Sequence, residues 1–173
     1  ILRRKLVEQL LEQRIRPRRW ELNPQHTYGD LLPGADPSAG GESCSPSVVP
    51  LVRSLFQLRA VLESNITTVY CELENPVHYR DAVDLTRQIN PDVSLYVAPP
   101  RITKPGEQYI LKQVRQAEAD GYLVRNYDHL QFFADQPCIG DFSLNVANPI
   151  TASYLKTRFG LERLTASYDL NVA

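Results

Sequence analysis

The sequence predicts an α/β fold with a parallel sheet: a TIM-barrel-like (β/α) segment of about five strands, preceded by a helix and a long irregular linker. Three observations predict it. From residue 66 onward, short runs rich in β-branched and aromatic residues alternate with amphipathic stretches. The strand–helix units are short and even, roughly 25 residues each, as parallel strands joined by right-handed helical crossovers require. No phosphate-binding motif, neither G-x-G-x-x-G nor G-x-x-x-x-G-K-[ST], offers a competing account. An open doubly wound sheet is the other architecture that fits. The even units and the polarity of the strand ends favour the barrel. A full eight-unit barrel takes about 250 residues, whereas this chain has 173. It is therefore expected to be an incomplete barrel, completed by the rest of the same polypeptide. A start at Ile1 and the lack of any Met fit a piece of something longer.

The elements follow in order. Residues 1–16 are an N-terminal helix, with Leu2, Leu6 and Leu10 on one stripe and Pro17 as its stop. Residues 17–47 are an irregular linker rich in Pro, Gly and Ser. Within it, 28–46 carry three Pro, four Gly and three Ser and are expected to be mobile, for want of apolar surface to offset ordering entropy. The barrel segment is 48–173. A helix is predicted over 48–63, with Leu51, Leu55, Leu58 and Leu62 inward. Strands follow at 67–73, 93–99, 121–126, 138–145 and 163–170. Helices are predicted between them at 76–89, 105–119, 128–134 and 149–159. Asn148 caps the last of these, Pro149 opens it and Gly160 closes it.

Composition bounds the function. The chain is 43% hydrophobic and 23% charged, with a net charge of −1. No apolar run approaches a membrane span and no signal peptide is visible, so no membrane partner is expected and the location read is cytoplasmic. Cys44, Cys71 and Cys138 are far apart and form no C-x-x-C pair. They argue against a self-contained zinc or cluster site and against a disulfide framework. Residues 1–20 hold seven basic side chains against Glu8 and Glu12. Such a helix can grip nucleic-acid phosphates, but more often it is a solvated face or an interdomain contact.

Ligands of parallel (β/α) folds bind at the carboxyl ends of the strands. Candidate catalytic residues there are Glu72, Asp141, Asn145 and Asp169. Candidate substrate-binding residues are Arg101, Arg125, Asn126, Ser143 and Ser167. Read as a strand, 138–145 turns Asp141, Ser143 and Asn145 to one face and Phe142 and Leu144 to the other. The polar set should line the barrel interior, with Glu72, Asn126 and Ser167 approaching the same space. Carboxylates beside guanidinium and amide donors supply an acid/base pair and stabilisers for an anionic or carbonyl group. The competing reading is a structural ring of ion pairs. His26, His78 and His129 fall in the linker or at helix starts, so a Ser–His–acid triad is unsupported. His78 and His129 read as surface residues of helix N-termini.

These residues carry a resemblance. GDFSLNVAN (140–148) and ERLTASYDLN (162–171) resemble the collagenase-like peptidase family, whose mechanism is unassigned. Its members show a "D-x-x-L-N-v-x-N" strand and, one helix later, an "R-x-T-x-S-x-E-L" strand. Here these read Asp141–Asn148 and Arg163–Leu170, with Asp169 where Glu is commoner. DGYLVRN (120–126) is similar to the family's "D-G-x-x-V-x-N" strand, and LRRKLVEQLLEQR to its "L-R-R-x-A-x-x-x-L" segment. The likeness covers residues 66–173 well and 1–16 loosely. It implies a TIM-barrel-like catalytic region and a collagenase-like peptidase label, hence peptide hydrolysis. Other members hydroxylate RNA pyrimidines or ubiquinone with an iron–sulfur cluster. Their cluster cysteines lie beyond the last strand here and match none of the three in this chain, so no cofactor is expected within this segment. No H-E-x-x-H zinc motif stands behind the protease label. Three expectations result: a peptidase-family enzyme acting on peptides, an iron–sulfur hydroxylase of RNA or another aromatic substrate, and a non-catalytic RNA-binding module. A remnant without independent activity is the bland alternative.

Overall fold

A computed structural model describes residues 2–17, 20–32 and 46–170, and divides the chain into two units, 1–32 and 33–173. In the first unit, helix α1 (Leu2–Ile15) is fully exposed along its length. Ion pairs one turn apart support it, Arg4–Glu8 at 3.3 Å and Glu12–Arg16 at 3.4 Å. Exposed i,i+4 pairs of this kind contribute only about 0.3–0.5 kcal/mol each. A 3₁₀ turn at Tyr28–Leu31 follows, closed by Thr27 N–H donating to Asp30 Oδ2 at 2.7 Å. Most of the stretch expected to be mobile, 33–45 with Cys44, lies outside the described residues.

In the second unit, alternation builds a curled half-barrel sheet of six parallel strands in sequential order. They are β1 (Leu51–Val52), β2 (Thr68–Cys71), β3 (Ser94–Val97), β4 (Gly121–Val124), β5 (Cys138–Gly140) and β6 (Arg163–Leu164). The crossovers are α2 (Leu55–Leu62), α3 (Tyr79–Ile89), α4 (Gln108–Arg115), α5 (Tyr127–Phe132) and α6 (Pro149–Phe159). One face of the sheet (Val69, Cys71, Val97, Tyr122, Val124 and Cys138) packs on helix residues that include Leu58, Tyr79, Val114, Phe133 and Leu155. Burial of such side chains supplies about 1.5–3 kcal/mol each. The alternate positions Tyr70, Tyr96, Ala98, Leu123 and Ile139 form a second cluster on the face away from the helices.

The parallel alternation of strand and helix stands, with three corrections, one being that the last strand, expected over 163–170, ends at Leu164. Residues 48–63 are not one helix. Val52 is buried in β1, and its neighbour Leu51 is exposed rather than inward. The helix starts only at Leu55, where Ser54 Oγ accepts from Gln57 N–H at 3.2 Å. Pro50 and the β-branched Val48, Val49 and Val52 favour extended backbone ahead of that cap. The sheet therefore has six strands, not five.

The fourth predicted strand also stops early, at Gly140. Residues 142–144 form a 3₁₀ turn, with Leu144 N–H bonded to Asp141 O at 3.0 Å and Asn145 N–H to Phe142 O at 2.9 Å. Asn145 sits at φ 53°, in the left-handed region that Asn tolerates better than most residues. The chain then rejoins the sheet through a bridge between Val146 and Ala166. The expected alternation of Asp141, Ser143 and Asn145 against Phe142 and Leu144 is lost at this turn.

Candidate functional site at the carboxyl rim

Strand register assembles the site. Tyr70 and Tyr96 are partners across β2 and β3, and Leu123 and Ile139 across β4 and β5, all on the face away from the helices. Two residues further on, alternation returns the chain to the same face. Glu72 then follows Tyr70, Arg125 follows Leu123 and Asp141 follows Ile139. One row at the carboxyl ends of three strands thus reads carboxylate, guanidinium, carboxylate.

The distances bear this out. Arg125 is only 3% exposed. Its Nη1 donates to Glu72 Oε1 at 2.6 Å and, more weakly, to Pro99 O at 3.4 Å. Its Nε lies 3.1 Å from Asp141 Oδ2, an ion-pair distance, but the N–H is not aligned for a hydrogen bond. Arg125 Nε and Nη2 are both buried without an acceptor. An unmet buried donor costs about 1–3 kcal/mol, more for a charged group. Glu72 is shared, since Arg53 Nε reaches its Oε2 at 3.3 Å. The hydrogen bond from Arg125, with the charges of Arg125, Arg53 and Arg101, holds the Glu72 carboxyl below its ordinary range against the opposing effect of burial.

A cavity of about 700 Å³ opens beside Glu72 and Arg125, lined among others by Arg53, Glu74, Ala98 and Arg101; Asp141 lies outside its lining. On its rim three loops meet in a stack. The Arg101 guanidinium lies 4.5 Å from the Phe142 ring centroid, and Phe142 stacks on Tyr168 with centroids 4.2 Å apart. Tyr168 remains 74% exposed.

The structure brings together Glu72, Arg125, Asp141 and Ser143. Ser143 Oγ donates to Arg125 O at 2.9 Å and lies 3.4 Å from Asp141 Oδ2, so its hydroxyl braces the arginine backbone. Asn126 holds the wall rather than the row. Its Oδ1 accepts from His129 N–H at 2.9 Å, capping α5, and its Nδ2 donates to Arg101 O at 2.9 Å. Asn145 does not line the interior; it is exposed beyond the turn. Ser167 is half-buried and bonded through its N–H to Val146 O, and Asp169 sits exposed in the following turn. Neither reaches the Glu72–Arg125–Asp141 row.

Four side chains were not singled out from the sequence. Arg53 joins the site because it follows the unforeseen β1. Phe142 faces Arg101 because of the turn. Tyr79 Oη donates to Ala98 O at 2.6 Å and accepts from Leu73 N–H at 3.1 Å, tying the ends of β2 and β3 together. His129 is not a surface residue but fully buried. It accepts from Arg125 N–H at Nδ1, 3.3 Å away, and contacts the backbone of Pro100. Burial, then the nearby Arg125 charge, lower its pKa from 6.5 to about 4, so the ring is neutral at pH 7. The signal was N-x-x-H: a capping Asn126 places residue 129 one turn in, facing back toward the strand end.

Among the described residues, the donor set does not fit an iron–sulfur cluster. Cys71 and Cys138 are both buried, and burial pushes each thiol up to about 12, far from thiolate. Among the described residues, no group of three His, Cys, Asp or Glu is placed to hold a metal ion. No helix of the described residues is long and apolar enough to cross a membrane. Comparison with known proteins finds no matching family model, curated protein or solved structure.

Proposed function

We propose that this chain is a barrel segment of a collagenase-like peptidase, with peptide-bond hydrolysis carried out at the Glu72–Arg125–Asp141 row. One observation supports this above the others: a guanidinium that contributes to the cavity lining stands between two carboxylates at the rim where barrel active sites lie. Its positive charge suits a peptide carbonyl whose oxygen gains charge. In this reading a water attacks the carbonyl carbon and its proton passes to Asp141. Arg125 holds the oxyanion. The carbon–nitrogen bond then breaks, and Asp141 returns the proton to the leaving amine. Glu72 keeps Arg125 charged and in place. The remaining barrel wall comes from the rest of the polypeptide, beside β1 and β6.

The test is release of new amino termini from gelatin by the full-length protein. Steady release supports the reading, and none over background defeats it. A second reading has its own observation. The open face of Tyr168, stacked on Phe142, suits a flat ring. It favours hydroxylation of a pyrimidine in RNA or of another aromatic substrate, with any cluster held by residues outside this segment. Iron and sulfide analysis of the full-length protein, with mass spectrometry of its RNA for an added oxygen atom, decides between the two. For a non-catalytic RNA module, the pairing of Arg53 and Arg125 with Glu72 and Asp141 is unfavourable, since it leaves few cations free for phosphates.

A further inference from the structure

We infer that the cavity between Arg53 and Arg101 is a subsite for the terminal carboxylate of a short peptide, a refinement that rests on the peptidase reading above. Arg101 lines this cavity. It is exposed, and among the described residues its guanidinium has no carboxylate partner, only the face of Phe142. A guanidinium flat on a ring keeps its N–H fork free at the edge, and that fork matches a carboxylate with two parallel hydrogen bonds.

The stack fixes where the fork stands. Phe142 is pinned between Arg101 and Tyr168, and Asn126 Nδ2 grips Arg101 O at 2.9 Å. Both the backbone and the head group of Arg101 are therefore held before any ligand arrives, so less side-chain entropy is lost on binding. Arg53 faces the same cavity. Among the described residues its side chain is engaged only at Nε, with Glu72 Oε2 at 3.3 Å, and it is largely exposed.

The charge count selects the ligand. The lining carries Arg53, Arg101 and Arg125 against Glu72 and Glu74, an excess of one positive charge. Glu72 is already paired on both oxygens, with Arg125 and Arg53. Asp141 stands on the Nε side of Arg125. Glu74 is exposed, where solvent and salt screen it. With Asp141 counted the cluster is neutral, and Arg101, which has no carboxylate in contact among the described residues, suits one carboxylate. It does not suit a polyanion, which the exposed Glu74 and Asp169 on this rim would repel. The adjacent Arg125, part of the same lining, then places its charge near the peptide carbonyl next to that terminus, so the subsite makes the protein prefer chain ends.

The experiment is calorimetric titration of the full-length protein with acetyl-tetraalanine as the free acid and as its carboxyl-terminal amide, with inorganic phosphate and uridine monophosphate as further probes. The free acid is expected to bind about tenfold or more tighter than the amide. Arg101→Gln should erase that difference, and Phe142→Leu should reduce it. Equal binding of acid and amide overturns the inference, as does a preference that survives Arg101→Gln. Binding of phosphate or the nucleotide in place of the free acid also overturns it, in favour of a phosphate site. Gelatin cleavage is read separately. Cleavage without a carboxylate preference sinks the subsite and leaves the peptidase reading standing. A carboxylate preference without cleavage does the reverse.

Discussion

Arg125 Nη1 lies 2.6 Å from Glu72 Oε1, so a cation on β4 is held by a carboxylate on β2, across the end of β3. The intervening strand contributes only a carbonyl, Pro99 O at 3.4 Å. With Asp141 on β5, the arginine links four consecutive strand ends. Taking such charges out of water is costly, and the pairing offsets that cost only while it stays complete.

Removing the arginine should therefore be severe. Arg125→Met leaves Asp141, 5% exposed, without its cation and should cost about 3–5 kcal/mol in urea denaturation of the full-length protein. Glu72→Gln should cost less, because Asp141 still faces Arg125 and Glu72 is partly solvated. Equal costs would show that the two pairings do not differ in burial as described.

His129 gives a pH signature. Its folded pKa is depressed from 6.5 to about 4, so the unfolded chain binds its proton first as pH falls. The stability from keeping the ring neutral is fully present above pH 6.5 and is lost progressively toward pH 4. Across that window, wild type should lose about 3 kcal/mol more than His129→Gln. Parallel stability–pH curves for the two proteins would contradict the burial of a neutral imidazole. Glu72 acts lower, since its depressed carboxyl supports the fold above its ordinary 4.5 and gives that support up only as pH falls further.

Gly121 is required by close approach. A Cβ there would lie 2.4 Å from the ring of Tyr96, its cross-strand partner, and 2.8 Å from Pro137 O. Gly121→Ala should destabilise by about 1–3 kcal/mol, as overpacking does. A Tyr96→Leu background should return part of that loss. No recovery would mean that the Pro137 backbone, and not the ring, sets the limit.

Asn126 couples stability to the site wall. Asn126→Ala removes the α5 cap and the bond to Arg101 O, so it should cost about 1–2 kcal/mol. It should also raise hydrogen exchange at Arg101 and Ile102. Unchanged exchange there would show that the Arg101 loop is held by the Phe142 stack alone.

Most of the architecture was legible because burial imposes a period. Strand runs such as TVYC and GYLV, and helix signals such as Asn148–Pro149 with Gly160 at φ 64°, state their structure locally. β1 was hidden because VVPLVRSLFQL merges a two-residue strand with the helix after it, and leucines at helical spacing run through both. Asp141–Asn145 misled for the opposite reason: D-F-S-L-N alternates like a strand while its backbone bonds close a turn. Strand ends pointed to Glu72, Arg125 and Asp141 as residues of one rim, but the sequence reading turned Asn126 rather than its neighbour Arg125 to the interior. Arg53, Phe142 and the burial of His129 depended on those two misread segments and on a cap whose partner only the fold reveals.

On the proposed function the row is a reacting site and not only a brace. Asp141→Asn in the full-length protein tests it most directly, because the amide keeps the size of the side chain and an oxygen toward Arg125 while removing the proton acceptor. Gelatin cleavage should fall by about a hundredfold or more, the scale of a lost general base, while the folded protein remains and still binds peptide. Full cleavage by a variant that only melts earlier would contradict the claim and leave Glu72, Arg125 and Asp141 as a structural ion-pair ring.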